Sequence, residues 1–476
     1  MLFNSIEYIF IFLPIVFIGY FLLNKFKFYT TAKVFLILAS LYFYGCYKIE
    51  YIWILVLTFL LNYFISVCFK ADIPQPKKKL ILIFGIITNI LILCGFRYFN
   101  YLIETLANLS FTPLNTFKIM MPIGISFFTL QQISYIVDCY KDTVKKYNFI
   151  DYTLFVCFFP QLLIGPIVRH QEMIPQFNNP KNKAINQNNL FIGIFIFTIG
   201  LLKKVVLADE FTPFLNGITA TGYYENFSTV WLFALAKILQ GYFDFSGYCD
   251  MAMGSAFLFN ISLPWNFNSP YKATSILDYW KRWNKTLMRF LADYVYKPLG
   301  GSQKGNFRTY INVMITFFIY GLWEGVNPCH LVFGLLNGIL VCINKWWANL
   351  KITIPKPISI AMTFVTLLFL STFISNDFET SFTLLKRMCG IDAVFKPLLI
   401  QNWNLIATIK DITGASINIF VLIFSLISVF FFKNSSELSK VYIKSNNMIY
   451  TCILAVVFVY TVLSITKSSE FLYLQF

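Results

Sequence analysis

Charged residues are scarce in this sequence, and their scarcity excludes an ordinary soluble protein. Only 13% of the 476 residues are charged, whereas a soluble domain carries about 25%. Hydrophobic residues make up 58% of the chain, which is more apolar surface than one water-soluble core can hide. A lipid bilayer accommodates this excess. The composition therefore predicts an integral membrane protein surrounded by membrane lipid.

Acidic residues are fewer than basic ones, and the basic residues concentrate between apolar runs. The 38 lysines and arginines outnumber 22 acidic residues, which gives a net charge of +16. The basic clusters lie at residues 77–79, 141–146, 181–183 and 203–204. Short cytoplasmic loops of membrane proteins carry this bias, so we predict no nucleic-acid partner. Residues 272–308 hold eight basic and two acidic residues, which predicts a cytoplasmic location for them.

Closely spaced metal ligands are also lacking. The chain has two histidines and ten cysteines, and no cysteine pair shows the tight spacing of a zinc or redox site. Most of the cysteines lie inside apolar runs, where cysteine acts as a small hydrophobic packing residue. We therefore predict no metal site and no bound cofactor.

Apolar runs dominate the rest of the sequence. A membrane-spanning helix needs roughly 20 mainly apolar residues. The candidate runs are residues 9–23, 34–44, 51–69, 80–96, 154–168, 191–207, 230–243, 311–323, 331–347, 358–373, 417–432 and 448–465. They predict about 10 to 13 membrane segments. No basic segment precedes the first run, so we expect it to remain as a helix rather than to act as a cleaved signal peptide.

The chain reads as a single membrane domain with three stretches of different character. Residues 1–110 alternate apolar runs with short basic loops, and residues 346–476 contain simple spans with a polar connection at 376–414. Residues 111–345 differ because Pro, Gly, Asp, Asn and paired aromatic residues interrupt their apolar runs. We expect the site in this central stretch. We find no internal repeat, so a transporter of the inverted-repeat type is not supported.

Two proline-containing segments interrupt the central stretch. They are residues 121–126 and 263–270, which contain Pro122, Pro264 and Pro270. Backbone groups that proline or glycine frees within a membrane must be satisfied by protein or by a water-filled cavity. We therefore predict re-entrant or cavity-lining segments here, and expect residues 263–338 to face an internal cavity.

Three groups of polar residues are candidates for the site, and the first holds two carboxylates. Asp244 and Asp250 follow the apolar run at 230–243. A carboxylate within a membrane is costly and usually faces a cavity or a partner. The alternative is structural: Asp244 caps a helix through Ser246 and Gly247.

The second group is the segment from Asp278 to Asn284. Trp280 and Trp283 are three residues apart, so they would share one face of a helix, with Arg282 beside them. This pattern predicts an amphipathic helix at the cytoplasmic membrane surface, over residues 280–289. In the functional alternative, the cations guide a phosphate-bearing acyl donor such as a coenzyme A thioester.

The third group contains Glu324 and Asn337, which interrupt apolar runs. A lone glutamate there suggests function, and a salt bridge near the membrane surface is the alternative. The two residues would lie about 20 Å apart along one ideal helix. They can converge only if Asn327 and Pro328 break the helix, or if a substrate spans both.

In this order, the three groups resemble the membrane-bound O-acyltransferases, and most closely the bacterial alginate and peptidoglycan O-acetylases. The resemblance also rests on residues 1–14, 122–128, 132–138, 159–167, 202–209, 266–271, 293–301 and 471–476. It implies an all-α polytopic fold with re-entrant and interfacial helices around a central cavity or funnel. It also implies a multi-pass protein of the bacterial cytoplasmic (inner) membrane.

The resemblance further implies the reaction. An acetyl group would pass from a cytoplasmic thioester, carried by coenzyme A or an acyl-carrier protein, across the membrane. A cell-surface polysaccharide or peptidoglycan would receive it, through an extracytoplasmic acyl-accepting or polysaccharide-modifying partner protein. D-alanyl transfer to teichoic acid is the sibling alternative. A non-catalytic membrane scaffold of an acylation complex is the alternative from another class.

The chain departs from the family at its histidines. Family members carry Trp-His-Gly where this chain has Trp323, Glu324 and Gly325, and further histidines where it has Asn337 and Asn284. The resemblance implies that Glu324 and Asn337 occupy the catalytic positions, with His330 as the fallback base. The donor and acceptor cavity would draw on Asp244, Asp250, Asn268, Trp280, Arg282, Trp283, Asn284 and Trp323.

The substitution matters because the reaction requires a base. Histidine titrates near pH 6.5 and can accept a hydroxyl proton at neutral pH, whereas an exposed glutamate, near 4.3, is a poor base. Burial raises the pKa of a carboxyl group, so Glu324 could act as a base or could mark an inactive replacement. The sequence alone leaves both open.

Overall fold

Helices account for all the regular secondary structure in the described part of the chain. The computed structural model describes residues 1–69, 73–109, 119–142, 147–221, 227–374, 377–391, 418–445, 448–465 and 471–472. No strand occurs among these residues, which confirms the predicted all-α class. The boundary at residues 110–111, most of the polar connection at 376–414 and the terminal residues 473–476 lie outside them. The division at residues 110 and 345 stays a prediction.

The helices follow the apolar runs closely, with turns of other helix types between some of them. They are α1 Leu13–Lys25, α2 Tyr29–Gly45, α3 Tyr51–Cys68, α4 Gln75–Leu109, α5 Ile125–Tyr140, α6 Phe149–Cys157, α7 Phe159–Leu162, α8 His170–Asn178, α9 Gln187–Leu202, α10 Thr212–Thr221, α11 Phe227–Leu258, α12 Ile276–Trp280, α13 Lys285–Leu291, α14 Gly305–Glu324, α15 Pro328–Asn349, α16 Lys356–Ser371, α17 Phe378–Met388, α18 Ile419–Phe431, α19 Ser435–Ser445 and α20 Met448–Leu463.

Five of the described helical segments are long and apolar enough to cross a membrane, or up to six if one bent pair counts as a single span. The number is smaller than the 10 to 13 segments predicted, because some apolar runs form helices below this length. The run at 154–168 is split, since α6 ends at Cys157 and α7 covers only Phe159–Leu162. Large apolar side chains point outward, as Phe420 does with 85% of its surface exposed, which suits contact with lipid.

The described residues divide into two compact units. The first comprises residues 1–197 and 248–264. Its core contains a cluster of aromatic rings, in which Tyr8 lies 4.9 Å from Phe3 and its hydroxyl group lies 2.7 Å from that of Ser255. Before α5, Gly124 has a φ of 76°, and a Cβ there would lie 2.7 Å from the carbonyl oxygen of Leu162. The predicted break after Pro122 is confirmed.

The second unit comprises residues 198–247 and 265–476. Its most extensive helix pairing is the antiparallel hairpin of α14 and α15, which pack closely because glycines face each other. A Cβ on Gly334 would lie 2.5 Å from the Phe317 carbonyl oxygen, and one on Gly321 would lie 2.6 Å from that of His330. Three residues separate the helices, so the chain breaks at Asn327 and Pro328, one of the two conditions given for Glu324 and Asn337 to converge.

The segment between α11 and α13 confirms one prediction and corrects another. Residues 261–269 are not helical, so the break near Pro264 is confirmed. The continuous helix predicted over residues 280–289 is wrong, because α12 ends at Trp280 and α13 begins at Lys285. Asn284 has a φ of 40°, in the left-handed region, which ends the helical path.

Candidate functional site

The tip of the α14–α15 hairpin brings together two residues singled out in the sequence. Glu324 is the last residue of α14 and is half-buried. The side chain of Asn327 caps α15 by accepting a hydrogen bond from the amide of Cys329 at 3.0 Å, and Pro328 starts the helix. His330 lies in the first turn of α15. The turn of residues 325–327 therefore has a carboxylate at the end of α14 before it and an imidazole in the first turn of α15 after it.

The imidazole of His330 packs against the backbone of Gly325. A Cβ on Gly325 would lie 2.5 Å from Nδ1 and Cε1 of that ring, so the ring fills the space of a side chain at position 325. His330 is 4% exposed. Its Nδ1 lies 3.3 Å from the carbonyl oxygen of Asn327. The structure thus places His330 beside the residue that follows Glu324.

Asn337 lies farther along α15 and serves a different contact. It is fully buried, its Oδ1 accepts a hydrogen bond from Trp280 Nε1 at 3.0 Å, and its Nδ2 donates to the Phe333 carbonyl oxygen at 2.8 Å. The Trp280 ring packs 4.8 Å from the ring of Tyr320. Asn337 therefore attaches α12 to α15. Neither Asn337 nor Glu324 is highly exposed, and their position facing an internal cavity stays a prediction.

Aromatic residues from α11, α12 and the preceding segment form a cluster around Trp283. Its ring lies 5.0 Å from Phe267, 5.7 Å from Tyr279 and 6.3 Å from Tyr242. Both Trp280 and Trp283 are buried, at 3% and 8% exposure, so they do not face outward on a surface helix as predicted. They fill the interior of the second unit instead.

Glu324 lies close to this cluster. Burial raises the pKa of the Tyr279 phenol above its usual value, and the side chains of Tyr271 and Glu324 shift it in the same direction. Trp323, the residue before Glu324, is buried with its ring 6.4 Å from Tyr320. Tyr279 was not singled out from the sequence, and nothing in its local sequence indicated that it lies near Glu324.

Hydrogen bonds fix the turn between α12 and α13. Asn266 Oδ1 accepts from the amide and the hydroxyl group of Thr286, at 3.1 and 2.9 Å. Asn268 donates its backbone amide to the Arg282 carbonyl oxygen at 2.9 Å, and its side chain accepts from Asn434 at 3.0 Å. Asn284 is 1% exposed, and among the described residues its Oδ1 has no hydrogen-bond partner.

Arg282, in the turn after α12, is paired with Asp278 rather than presented as an isolated cation. Its Nε donates to Asp278 Oδ1 at 2.9 Å, and its Nη1 lies 3.4 Å from the Asn268 carbonyl oxygen. Lys281, by contrast, is exposed. Arg282 is therefore paired with Asp278, and the guidance of a phosphate-bearing donor by these cations stays a prediction.

Asp244 belongs to a buried charge network in the second unit. It lies in the middle of α11, so the helix-cap alternative is wrong. Its Oδ1 is 2.7 Å from Nζ of Lys204, which also lies 2.9 Å from Asp209. Oδ2 of Asp244 accepts from the amide of Leu472 at 3.0 Å. Lys204 and Asp244 are each 2% exposed, so Lys204 is not a loop cation.

Asp250 lies on the same helix but within the first unit, where it is 5% exposed. The described residues contain no group of three or more His, Cys, Asp and Glu side chains that could hold a metal ion.

Comparisons with known proteins agree on one family. The family model for membrane-bound O-acyltransferases matches residues 125–375. A peptidoglycan O-acetyltransferase of Helicobacter pylori is 38% identical over 426 residues, which cover 83% of this chain and 81% of that protein. A probable alginate O-acetylase of Pseudomonas aeruginosa is 34% identical over 72% of this chain and 66% of its own length. A teichoic acid D-alanyltransferase of Bacillus subtilis is 27% identical over 47% of this chain and 60% of its own length.

Proposed function

This chain belongs to the membrane-bound O-acyltransferase family and is an O-acyltransferase, and we propose that it moves an acetyl group from a cytoplasmic thioester across the bacterial inner membrane. The acceptor would be a hydroxyl group of a cell-surface polysaccharide or peptidoglycan, reached through an extracytoplasmic partner protein. Acetyl-coenzyme A or an acyl-carrier protein would supply the thioester.

The observation that carries this proposal is the hairpin tip, where Glu324 and His330 lie on either side of the turn. In the transfer, the hydroxyl oxygen forms a bond to the acyl carbon, the carbon–sulfur bond breaks, and the hydroxyl proton must reach a base. Both side chains are proton acceptors held at the ends of apolar helices. A base placed in this way contributes typically 10²- to 10⁴-fold to the rate.

The donor side is supported by charge. Residues 272–308 contain eight basic and only two acidic residues. In the turn after α12, Arg282 is paired with Asp278, whereas Lys281 is exposed. A compact ammonium group suits the phosphates of coenzyme A or of a carrier's prosthetic group. This charge bias supports our proposal that the donor binds on the cytoplasmic side.

The acceptor side is supported by the relatives. The protein that acetylates peptidoglycan matches this chain at 38% identity over 83% of its length, whereas the D-alanyltransferase matches at 27% over 47%. Acetyl transfer is therefore favoured over D-alanyl transfer.

The test uses the full chain in lipid nanodiscs with [14C]acetyl-coenzyme A. Muropeptides and oligo-uronates serve as acceptors, and membranes of the source cells supply the partner. Label should appear in the acceptor as an alkali-labile ester, and the Glu324→Gln/His330→Asn double variant should transfer none. Glu379→Gln is the matched control, because Glu379 is exposed in the first turn of α17, and it should keep wild-type transfer.

A non-catalytic scaffold is the second candidate, and one observation favours it. Oδ1 of Asn337 accepts from Trp280 of α12 and its Nδ2 donates to the Phe333 carbonyl oxygen within α15, as expected of a residue retained for structure. Folded wild-type protein that transfers neither acetyl nor D-alanyl groups from any thioester, with its partner present, would establish the scaffold.

A further inference from the structure

We propose that His330, rather than Glu324, is the catalytic base, and that its Nε2 atom accepts the proton of the acceptor hydroxyl group. The assignment rests on the proposed acyl transfer. It is carried by the hydrogen bond of the imidazole and by the space that the ring occupies beside Gly325.

The hydrogen bond selects the tautomer of His330. Nδ1 lies 3.3 Å from the carbonyl oxygen of Asn327, and a carbonyl oxygen can only accept. Nδ1 must therefore carry the proton in the neutral ring, which leaves the lone pair on Nε2. A general base needs an unprotonated nitrogen held in a fixed orientation, and this contact supplies both conditions.

The position of the ring places this base next to Glu324 although six residues separate the two in sequence. Position 325 is glycine, and the imidazole lies only 2.5 Å from where a Cβ on that residue would be. The ring therefore occupies space that a side chain at position 325 would need. The turn of three residues folds α15 back against the end of α14, so that His330, the third residue of α15, fills this volume. The sequence spacing alone gave no indication of this proximity.

The chemical step then balances. Nε2 of His330 takes the hydroxyl proton while the hydroxyl oxygen bonds to the acyl carbon of the thioester. The carbon–sulfur bond breaks, the imidazolium returns the proton to the thiolate, and an ester and a free thiol leave. Glu324 forms no covalent bond to the reacting groups in these steps.

The first test compares variants in the nanodisc assay. His330→Asn should lower the transfer rate by about 100-fold or more, since it removes the base. Glu324→Gln should stay within about tenfold of wild type, and Glu379→Gln should equal it. Loss of transfer in Glu324→Gln with activity kept in His330→Asn would assign the base to Glu324. Comparable losses in both would overturn His330 as the sole base.

The second test reads the tautomer without requiring turnover. The chain has only two histidines, so protein labelled with [15N]histidine gives two imidazole signal sets, and His330→Asn identifies which belongs to His330. Near neutral pH, its Nδ1 should show the shift of a protonated nitrogen and its Nε2 that of an unprotonated one. The reverse pattern, or an imidazolium ion, would overturn the assignment even in an active enzyme. A silent wild type would instead overturn the proposed function, and the assignment with it.

Discussion

The imidazole of His330 packs against Gly325 at the end of α14, and the methyl group of an alanine at position 325 would occupy the same space. Gly325 has an extended backbone that any residue adopts, so Gly325→Ala introduces no backbone strain. Its Cβ would meet Nδ1 and Cε1 of His330 at 2.5 Å, and the ring must move away from the Asn327 carbonyl oxygen. We expect a loss of transfer of about tenfold to 100-fold, because a displacement near 1 Å costs about that much.

Gly95→Ala is the control for this substitution. Gly95 lies within α4, and a Cβ there would meet nothing within 4 Å. Alanine is the better helix former by roughly 1 kcal/mol, so transfer and thermal stability should both be kept. Full activity in Gly325→Ala would contradict the placement of the His330 ring.

The hydrogen bond between Trp280 and Asn337 can also be tested by substitution. Their side chains meet in a buried hydrogen bond of 3.0 Å. Replacing one partner leaves the other buried without it, at a cost of about 1 to 3 kcal/mol. We expect Trp280→Phe and Asn337→Leu each to lower the unfolding temperature in detergent, and the double variant to lose less than the sum of the two. Strict additivity in this double-mutant cycle would contradict the contact.

The residues of the hairpin show what sequence could and could not predict. Glu324 stood out because a lone carboxylate in an apolar run is costly, a property of the residue itself. Asn337 stood out for the same reason, but its partner Trp280 lies 57 residues away in sequence, and no local pattern indicates that contact. His330 was identified only as a fallback base, because its proximity to Gly325 depends on the turn.

Among the elements, the breaks near Pro122 and Pro264 were predicted, the break at Pro328 was stated only as a condition, and the break at Asn284 was not predicted. Proline and glycine impose a local steric limit that is visible in the sequence. The residues around Asn284 instead show helical spacing of their tryptophans. The pairing of Asn266 with Thr286 overrides that spacing, and such long-range contacts outweigh helix propensity.

Substitutions at Asn284 should reveal this break. Its φ of 40° and ψ of 52° are accessible to asparagine and glycine but cost about 1 to 2 kcal/mol for most other residues. Asn284→Gly should leave the unfolding temperature nearly unchanged, whereas Asn284→Val should lower it clearly. If valine were tolerated as well as glycine, a continuous helix through residue 284 would be favoured over the observed turn.

For the whole molecule, composition predicted the membrane environment because apolar surface is summed over the entire chain. The pairing of Lys204 with Asp244 could not be predicted in this way. Lys204 was grouped with loop cations and Asp244 with cavity carboxylates, since each follows an apolar run. The network also holds Leu472, which is 228 residues from Asp244. The sequence predicted that a carboxylate within the membrane needs a partner or a cavity. It could not identify the partner, because that depends on the tertiary fold.

Lys204 and Asp244 are both buried, so the loss of either charge alone should be severe. Lys204→Met leaves Asp244 without its ion-pair partner, and breaking a buried pair typically costs about 3 to 5 kcal/mol. Asp244→Leu leaves the Lys204 cation with Asp209, whose side chain is 25% exposed. The Lys204→Met/Asp244→Leu double variant removes both buried charges and should be more stable than either single variant.

The ring of Phe471 also contacts this buried charge network. Its ring is fully buried and lies 4.6 Å from Nζ of Lys204, an arrangement worth up to about 2 kcal/mol when desolvated. Phe471→Ala should therefore destabilise wild type by more than it destabilises the Lys204→Met variant, since only the former loses the cation–π contact. Unfolding temperatures in detergent measure all of these variants, and Phe471→Leu controls for lost apolar volume. Equal losses from Phe471→Ala in both backgrounds would show that Phe471 contributes burial alone and that the Lys204 cation does not stabilise its ring.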